Sequence, residues 1–345
     1  MSAPRALGRN VGIVGGGLAG LALGVALRRA KIPVTLHDAG SYPRHRVCGE
    51  FITGLAPSTI ERLGLAPVLA DALLHREVAW FAGTGPPNIQ QLPHPALGLS
   101  RHTLDARLAR TFVALGGRLC TRSRITDSVN LPGRVLATGR PRQNRSPWLG
   151  LKIHARALPL ERDLEMHLGH GAYVGLARVE DGRVNLCGLF RRRAAAGRGV
   201  PLLLAYLRAA GLEALASRLA AGRPDPESFC AVAALAFDRR VRSENGLRIG
   251  DAAATIPPFT GNGMAMALQS AELALAPVIA FARGEISWEE ACRVAQATQH
   301  RRFRARLASA QLLHPFLLQP WRQRLVAALG RAHLLPFRPL YASLH

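Results

Sequence analysis

The chain has 345 residues, 48% of them hydrophobic, and 34 glycines, which excludes a disordered or fibrous chain and suits an α/β enzyme of roughly two domains. Five scattered cysteines, Cys48, Cys120, Cys187, Cys230 and Cys292, make no CxxC pair; that excludes a disulfide framework or zinc site, implies no metal, and points to a reducing cytoplasm. The net charge of +23 is carried by arginine, with Lys31 and Lys152 the only lysines. It is spread without any nucleic-acid-binding pattern, so no nucleic-acid partner is expected, while a weak attraction to anionic lipid is.

Residues 10–38 open as an apolar run, VGIVGGG, break into glycines and resume as LAGLALGVALRRAKIPVTLHD. Gly15, Gly17 and Gly20 give GxGxxG spacing. The first glycine lets a strand turn sharply, the second admits a pyrophosphate against bare backbone, and the third lets the helix pack close to the sheet. The pyrophosphate would sit on unpaired N–H groups at the helix N-terminus, beside Leu18 and Ala19, where the dipole favours negative charge. Asp38 closes the next β-rich run 18 residues after Gly20, placed to take both ribose hydroxyls of an adenosine. A dinucleotide-binding βαβ unit is expected here.

A turn-rich loop, SYPRHRVCGEFITG, leads into a helical stretch over residues 56 to about 74, and proline and glycine then punctuate 83–95. SRHTLDARLARTFVALGGRL reads as a helix capped by Ser100 and stopped at Gly116 and Gly117. Its Leu104, Leu108, Phe112 and Leu115 fall at helical spacing, the mark of a core face. RVLAT is a short strand closed by Gly139. From residue 150 to about 237, alternating segments such as AYVGLARV and RVNLCGLF, joined by an Asp181-Gly182 turn, predict a β-rich domain interrupted by helix at 202–221. The chain ends in basic helical segments containing Trp321, read as an amphipathic cover for the core, with a peripheral membrane contact as the alternative.

Three features in register, the N-terminal fingerprint, the strand ending in Ala137, Thr138 and Gly139, and the distant GDAAATIPPFTGNG, resemble the FAD-dependent oxidoreductases of the aromatic hydroxylase (p-hydroxybenzoate hydroxylase-like) and geranylgeranyl reductase superfamily. The resemblance covers nearly the whole chain. It implies an α/β fold with a Rossmann-like FAD-binding domain from 1–55, 96–149 and 238–300, a β-rich substrate domain from 56–95 and 150–237, and a helical C-terminal segment at 301–345. In the third motif the carboxylate of Asp251 would accept a hydrogen bond from a ribityl hydroxyl, and Gly250 permits close backbone approach. Pro258 stiffens the loop, and Gly261, Asn262, Gly263 and Met264 begin a helix running to about residue 276. The resemblance puts that helix N-terminus at the flavin's pyrimidine edge, where its dipole would stabilise negative charge.

The same resemblance assigns Arg44 or Arg46 to the FAD adenosine or pyrophosphate, and Arg101 to a cofactor contact. RHRVCGE is similar to the cysteine-bearing CG motif of geranylgeranyl reductases, which implies that Cys48 and Glu50 lie beside the flavin as catalytic candidates. His154 is a third catalytic candidate, for proton transfer, and with His167 and Tyr173 it supplies polar groups in the second domain. Three departures stand out: the connection between Gly117 and Ala137 is shorter than the family's β-meander, Ala254 replaces a histidine that often follows GDAA, and the GWxWxIP signature of flavin halogenases is absent, which disfavours halogenation.

The chemistry implied is that of a cytoplasmic or membrane-associated enzyme of secondary metabolism in which FAD, reduced by NADPH or NADH, acts on a small hydrophobic substrate. A monooxygenase hydroxylating an aromatic, polyketide-like or isoprenoid-like substrate is the first expectation. The alternative is geranylgeranyl reductase-like reduction of a C=C bond, with a protein acid supplying the proton. A non-catalytic ligand-binding scaffold is the reading of another class.

Overall fold

The computed structural model describes residues 9–83, 85–126, 131–140, 146–193, 197–233, 235, 237, 246–332 and 334–345. Residues 238–245, where the return to the FAD-binding domain is expected to begin, lie outside them. In chain order the strands are β1 (Val11–Val14), β2 (Val34–His37), β3 (Phe51–Ile52), β4 (Leu73–Ala82), β5 (Asn88–Gly98), β6 (Arg118–Cys120) and β7 (Arg134–Leu136). They continue as β8 (Trp148–Ala155), β9 (Leu164–Gly169), β10 (Ala172–Val179), β11 (Arg183–Arg191), β12 (Pro224–Ala233) and β13 (Leu247–Arg248). The helices are α1 (Leu18–Arg29), α2 (Pro57–Leu63), α3 (Ala66–Leu69), α4 (Arg101–Ala114), α5 (Gly199–Ala209), α6 (Glu213–Ala221), α7 (Gly263–Ala282), α8 (Trp288–Leu313), α9 (Pro320–Arg331) and α10 (Phe337–Leu344).

Five strands form a parallel sheet in the order β13-β7-β1-β2-β6. Ile13 pairs in register with Leu36 and Val135, and all three are fully or almost fully buried, which explains why β1 reads as a continuous apolar run. Helices α1, α4, α7 and the start of α8 share one core with this sheet. Ser100 caps α4 as expected, accepting a hydrogen bond from the Thr103 N–H.

The other eight strands form a mixed sheet, β12-β8-β11-β10-β9-β4-β5-β3. On β8, Leu151, Ile153 and Ala155 pack with α5 and α6, so Lys152 and His154, which alternate with them, face the opposite side. That opposite side meets Phe259, α8 and the 3-10 turn His314–Leu317 in a further core. The Asp181-Gly182 hairpin joins β10 to β11 as the sequence predicts.

One local expectation is corrected. The helix over residues 56–74 is broken in two because Gly64 ends α2 in the left-handed region and Pro67 restarts the chain as α3. Leu63, Leu65, Val68 and Leu69 then join the core around α1. The proline- and glycine-punctuated stretch contributes the start of β5, and β4 and β5 form a hairpin whose register slips between His75 and Glu77. Pro93 and Pro95 fall in that slip, where their missing N–H groups cost no ladder bond.

Candidate active site

Three glycine-bearing turns meet at one cleft of about 620 Å³, lined by Gly17, Leu18 and Ala19, by Ala137, Thr138 and Gly139, and by Gly250, Asp251, Pro258, Gly261, Gly263 and Met264. Gly15 and Gly20 make the meeting sterically possible. A Cβ on Gly15, at φ +108°, would lie 2.2 Å from the Ala137 carbonyl oxygen, and one on Gly20 would lie 2.0 Å from that of Gly15. Gly17 serves differently. It caps α1 with no side-chain hydrogen bond, and a Cβ there would meet no protein atom within 4 Å.

The same open space lies at Gly139 and Gly263, and α7 likewise starts with no side-chain cap and no acidic residue in its first turn. Bare backbone beside two uncapped helix N-termini fits the pyrophosphate and the electron-accepting ring edge of FAD.

The charge in the cleft is mainly positive. Arg46 and Arg101 both line it, and both are held by the fully buried Asp105: Arg46 Nε donates to it at 3.0 Å, and Arg101 Nε and Nη2 at 2.8 Å each. Burial works against the Arg101 charge, yet Asp105 keeps its pKa above the ordinary arginine value. Two guanidiniums share one carboxylate, leaving a net positive charge for a phosphate. Arg140, from the turn after β7, also lines the cleft and donates to Asp251 at 3.3 Å.

Asp38 and Arg44 do not line this cleft. The Asp38 carboxylate, 5% exposed, accepts from the Gly16 and Gly40 N–H groups and from both terminal nitrogens of Arg44, all at 2.7 to 2.8 Å. These donors hold its pKa low against burial, and a ribose could bind there only by displacing Arg44. Asn262 is also outside the lining: its side-chain amide donates to the Leu344 carbonyl at 2.7 Å and ties the start of α7 to α10.

Behind the cleft wall lies a buried polar set. Glu50 sits at φ +59°, a conformation a non-glycine residue seldom adopts. Its carboxylate accepts from the Arg101 N–H at 3.0 Å, lies 2.5 Å from His154 Nε2 and 3.7 Å from Lys152 Nζ, and none of the Glu50, Lys152 and His154 side chains is exposed. Lys152 Nζ donates to His45 Nδ1 at 3.2 Å, and His45 lines the cleft. Burial, then the Lys152 charge, pushes the His45 pKa down to about 4, so its imidazole is neutral near pH 7 and free to accept. Asn185, wholly buried, donates to the Cys48 and Gly49 carbonyls at 2.9 Å each and fixes the loop.

Of the expected catalytic residues, Cys48 lines the cleft, while Glu50 and His154 stand one layer behind it. Burial raises the Cys48 pKa, so it is a protonated thiol at neutral pH and not a nucleophile. His167 is paired with Glu165 and stacked on Phe81, and Tyr173 packs against Phe259 and His314; neither reaches the cleft. Sequence reasoning missed Lys152, His45, Asp105 and Asn185. For Lys152 a signal existed: one of two lysines in an arginine-rich chain, two residues before a histidine on a strand.

A second space, an apolar cavity of about 300 Å³, lies between the mixed sheet and the C-terminal helices. Val78, Trp80, Met166, Leu317, Val326 and Phe337 are among its walls. Phe51 lines both this cavity and the cleft.

No known protein-family model matches the chain. It is 31% identical over 114 residues to a menaquinone reductase of Mycobacterium tuberculosis, a stretch covering 32% of this chain. The chain spans only 28% of the length of that relative. Over almost its full length it shares its fold with solved structures. Pseudomonas aeruginosa PqsL in complex with 2-aminobenzoylacetate has a TM-score of 0.71 at 17% identity, covering 91% of this chain and 98% of that one. A geranylgeranyl bacteriochlorophyll reductase-like protein of Thermoplasma acidophilum has a TM-score of 0.72 at 15% identity, covering 93% and 91%. Klebsiella pneumoniae HpxO complexed with FAD has a TM-score of 0.70 at 19% identity, covering 97% and 99%. The chain therefore shares its fold with these three solved structures.

Proposed function

We propose that this chain is an FAD-dependent oxidoreductase that hydroxylates a hydrophobic aromatic or isoprenoid-like substrate held in the apolar cavity. One observation carries the reading: the glycine-walled cleft and the apolar cavity share Phe51 as a wall. When bound, FAD supplies two-electron redox chemistry that NADPH or NADH renews. The N-terminus of α1 at Gly17, with Arg46 and Arg101, binds the phosphate charge, and the N-terminus of α7 at Gly263 orients the ring system. The aliphatic and aromatic cavity walls exclude water from the substrate. Lys152 holds a proton at Nζ one hydrogen bond from His45, and Glu50 balances its charge inside the protein.

A second reading, reduction of a substrate C=C bond, is favoured by the likeness to a menaquinone reductase and by that stored proton, since such a reduction needs an acid at the substrate carbon. Oxygen separates the two. Turnover of an aromatic or polyene substrate that stops without oxygen supports hydroxylation, whereas product formed anaerobically overturns it in favour of C=C reduction. A colourless protein that fails to take up FAD overturns both and supports a ligand scaffold.

A further inference from the structure

We propose that the face built by α8, α9 and the segment entering α10 docks on an anionic lipid bilayer. Residues 291–345 contain nine arginines and no aspartate or glutamate. Arg301, Arg302, Arg324, Arg331 and Arg338 are exposed. Large apolar side chains of the same C-terminal segment are exposed as well: Leu312 is 72% exposed, Trp321 60%, Leu325 45% and Leu334 69%.

On α9 the exposed residues Trp321, Arg324 and Leu325 fall at i, i+3 and i+4, so one face of the helix carries both a cation and two apolar groups. An indole and a leucine beside guanidiniums is the composition of an interfacial helix: the rings and aliphatic chains enter the headgroup boundary while the cations meet anionic lipid. A nucleic-acid surface would use the cations but leave Leu312, Leu325 and Leu334 in water.

The contact is peripheral. Among the described residues α7 alone is long and apolar enough to cross a membrane, and 67% of its most apolar 18-residue window is buried in the core.

The position of this face has a consequence for entry. Leu325 is exposed and also lines the apolar cavity, so that cavity reaches the surface at α9. Docking would set its mouth against the hydrocarbon, a path for a substrate that prefers lipid to water. The entry path rests on the functional reading above; the docking does not, and is tested without turnover.

The test is co-sedimentation of the full chain with phosphatidylcholine vesicles, with and without phosphatidylglycerol, at low and high salt. Binding that needs phosphatidylglycerol and weakens with salt is expected. Arg324→Glu/Arg338→Glu should weaken it by roughly 30-fold, from about fivefold per cation lost, and Trp321→Ala should weaken it at unchanged thermal stability. Absence of binding, or equal binding of all variants to both vesicle types, overturns the proposal. So does retention of a DNA duplex in place of vesicles, lost in Arg324→Glu/Arg338→Glu.

Discussion

Glu50 Oε2 and His154 Nε2 stand 2.5 Å apart with both side chains fully out of solvent, although 104 residues separate them in the chain. Lys152 completes the group from the same face of β8. Glu50→Gln leaves the Lys152 ammonium buried without its counter-charge, which should destabilise the fold by roughly 3–5 kcal/mol. Adding Lys152→Met removes the stranded charge and should restore part of that loss. A double-mutant cycle in urea unfolding checks the coupling; strictly additive effects would show that the two charges do not interact.

If the chemistry is the C=C reduction, Lys152→Met should also lower kcat about 100-fold, the scale for losing a positioned proton donor. FAD content, read from flavin absorbance per protein, should not change, because Lys152 does not line the cleft. Wild-type turnover in this variant would remove the lysine from the chemistry.

Much of the fold was legible because the sequence signals are local. The glycine spacing of Gly15, Gly17 and Gly20, the Ser100 cap and the Asp181-Gly182 turn each specify backbone geometry within a few residues. The buried polar set was not legible, because Glu50, Lys152, His45 and Asp105 become neighbours only when β8, α4 and the Cys48 loop close on one another. Asp38 marks the limit of motif reasoning: its place after β2 follows from the fingerprint, but the Arg44 that occupies its carboxylate comes from the loop beyond, which no period predicts. Pro93 and Pro95 lie inside β5 because a register slip absorbs them, a feature that no local signal announces.

The glycines of the fingerprint should separate by experiment. Gly20→Ala places a Cβ 2.0 Å from the Gly15 carbonyl oxygen, so it should lower the melting temperature even of the cofactor-free protein. Gly17→Ala meets no protein atom within 4 Å and should leave that melting temperature unchanged while weakening FAD binding, measured by quenching of flavin fluorescence. If both variants bind FAD as the wild type does, the cleft is not the cofactor site.

Asp105 does not line the cleft but orients Arg46 and Arg101, which do. Asp105→Asn loses a charge shared by two guanidiniums, and FAD affinity should fall roughly 10- to 100-fold, the scale of one or two charge-assisted hydrogen bonds. Asp71→Asn is the control: it removes an exposed partner of Arg107 on the same helix and should leave affinity unaltered. Equal affinities in all three proteins would show that the arginine positions do not matter for binding.

His314 gives the clearest pH dependence. Its ring lies within 5.6 to 6.0 Å of the Trp148, Tyr173, Phe237 and Phe259 rings, and burial pushes its pKa down to about 4. His45 and His345 are also pushed down to about 4, each mainly by burial. An unfolded histidine titrates near pH 6.5, so between about pH 6.5 and 4 the unfolded chain binds more protons than the folded one. Stability is therefore full above that window and falls as pH drops through it, at up to about 1.4 kcal/mol per pH unit for each histidine. The carboxylates Asp38, Glu165 and Glu180, whose pKa values are lowered, add a loss of the same sign from about pH 5 downward, so the part of the window above about pH 5 is free of them. His314→Phe should flatten the melting-temperature profile across this window without changing its value at pH 8. An unchanged slope would mean that the imidazole is already charged inside its aromatic cage.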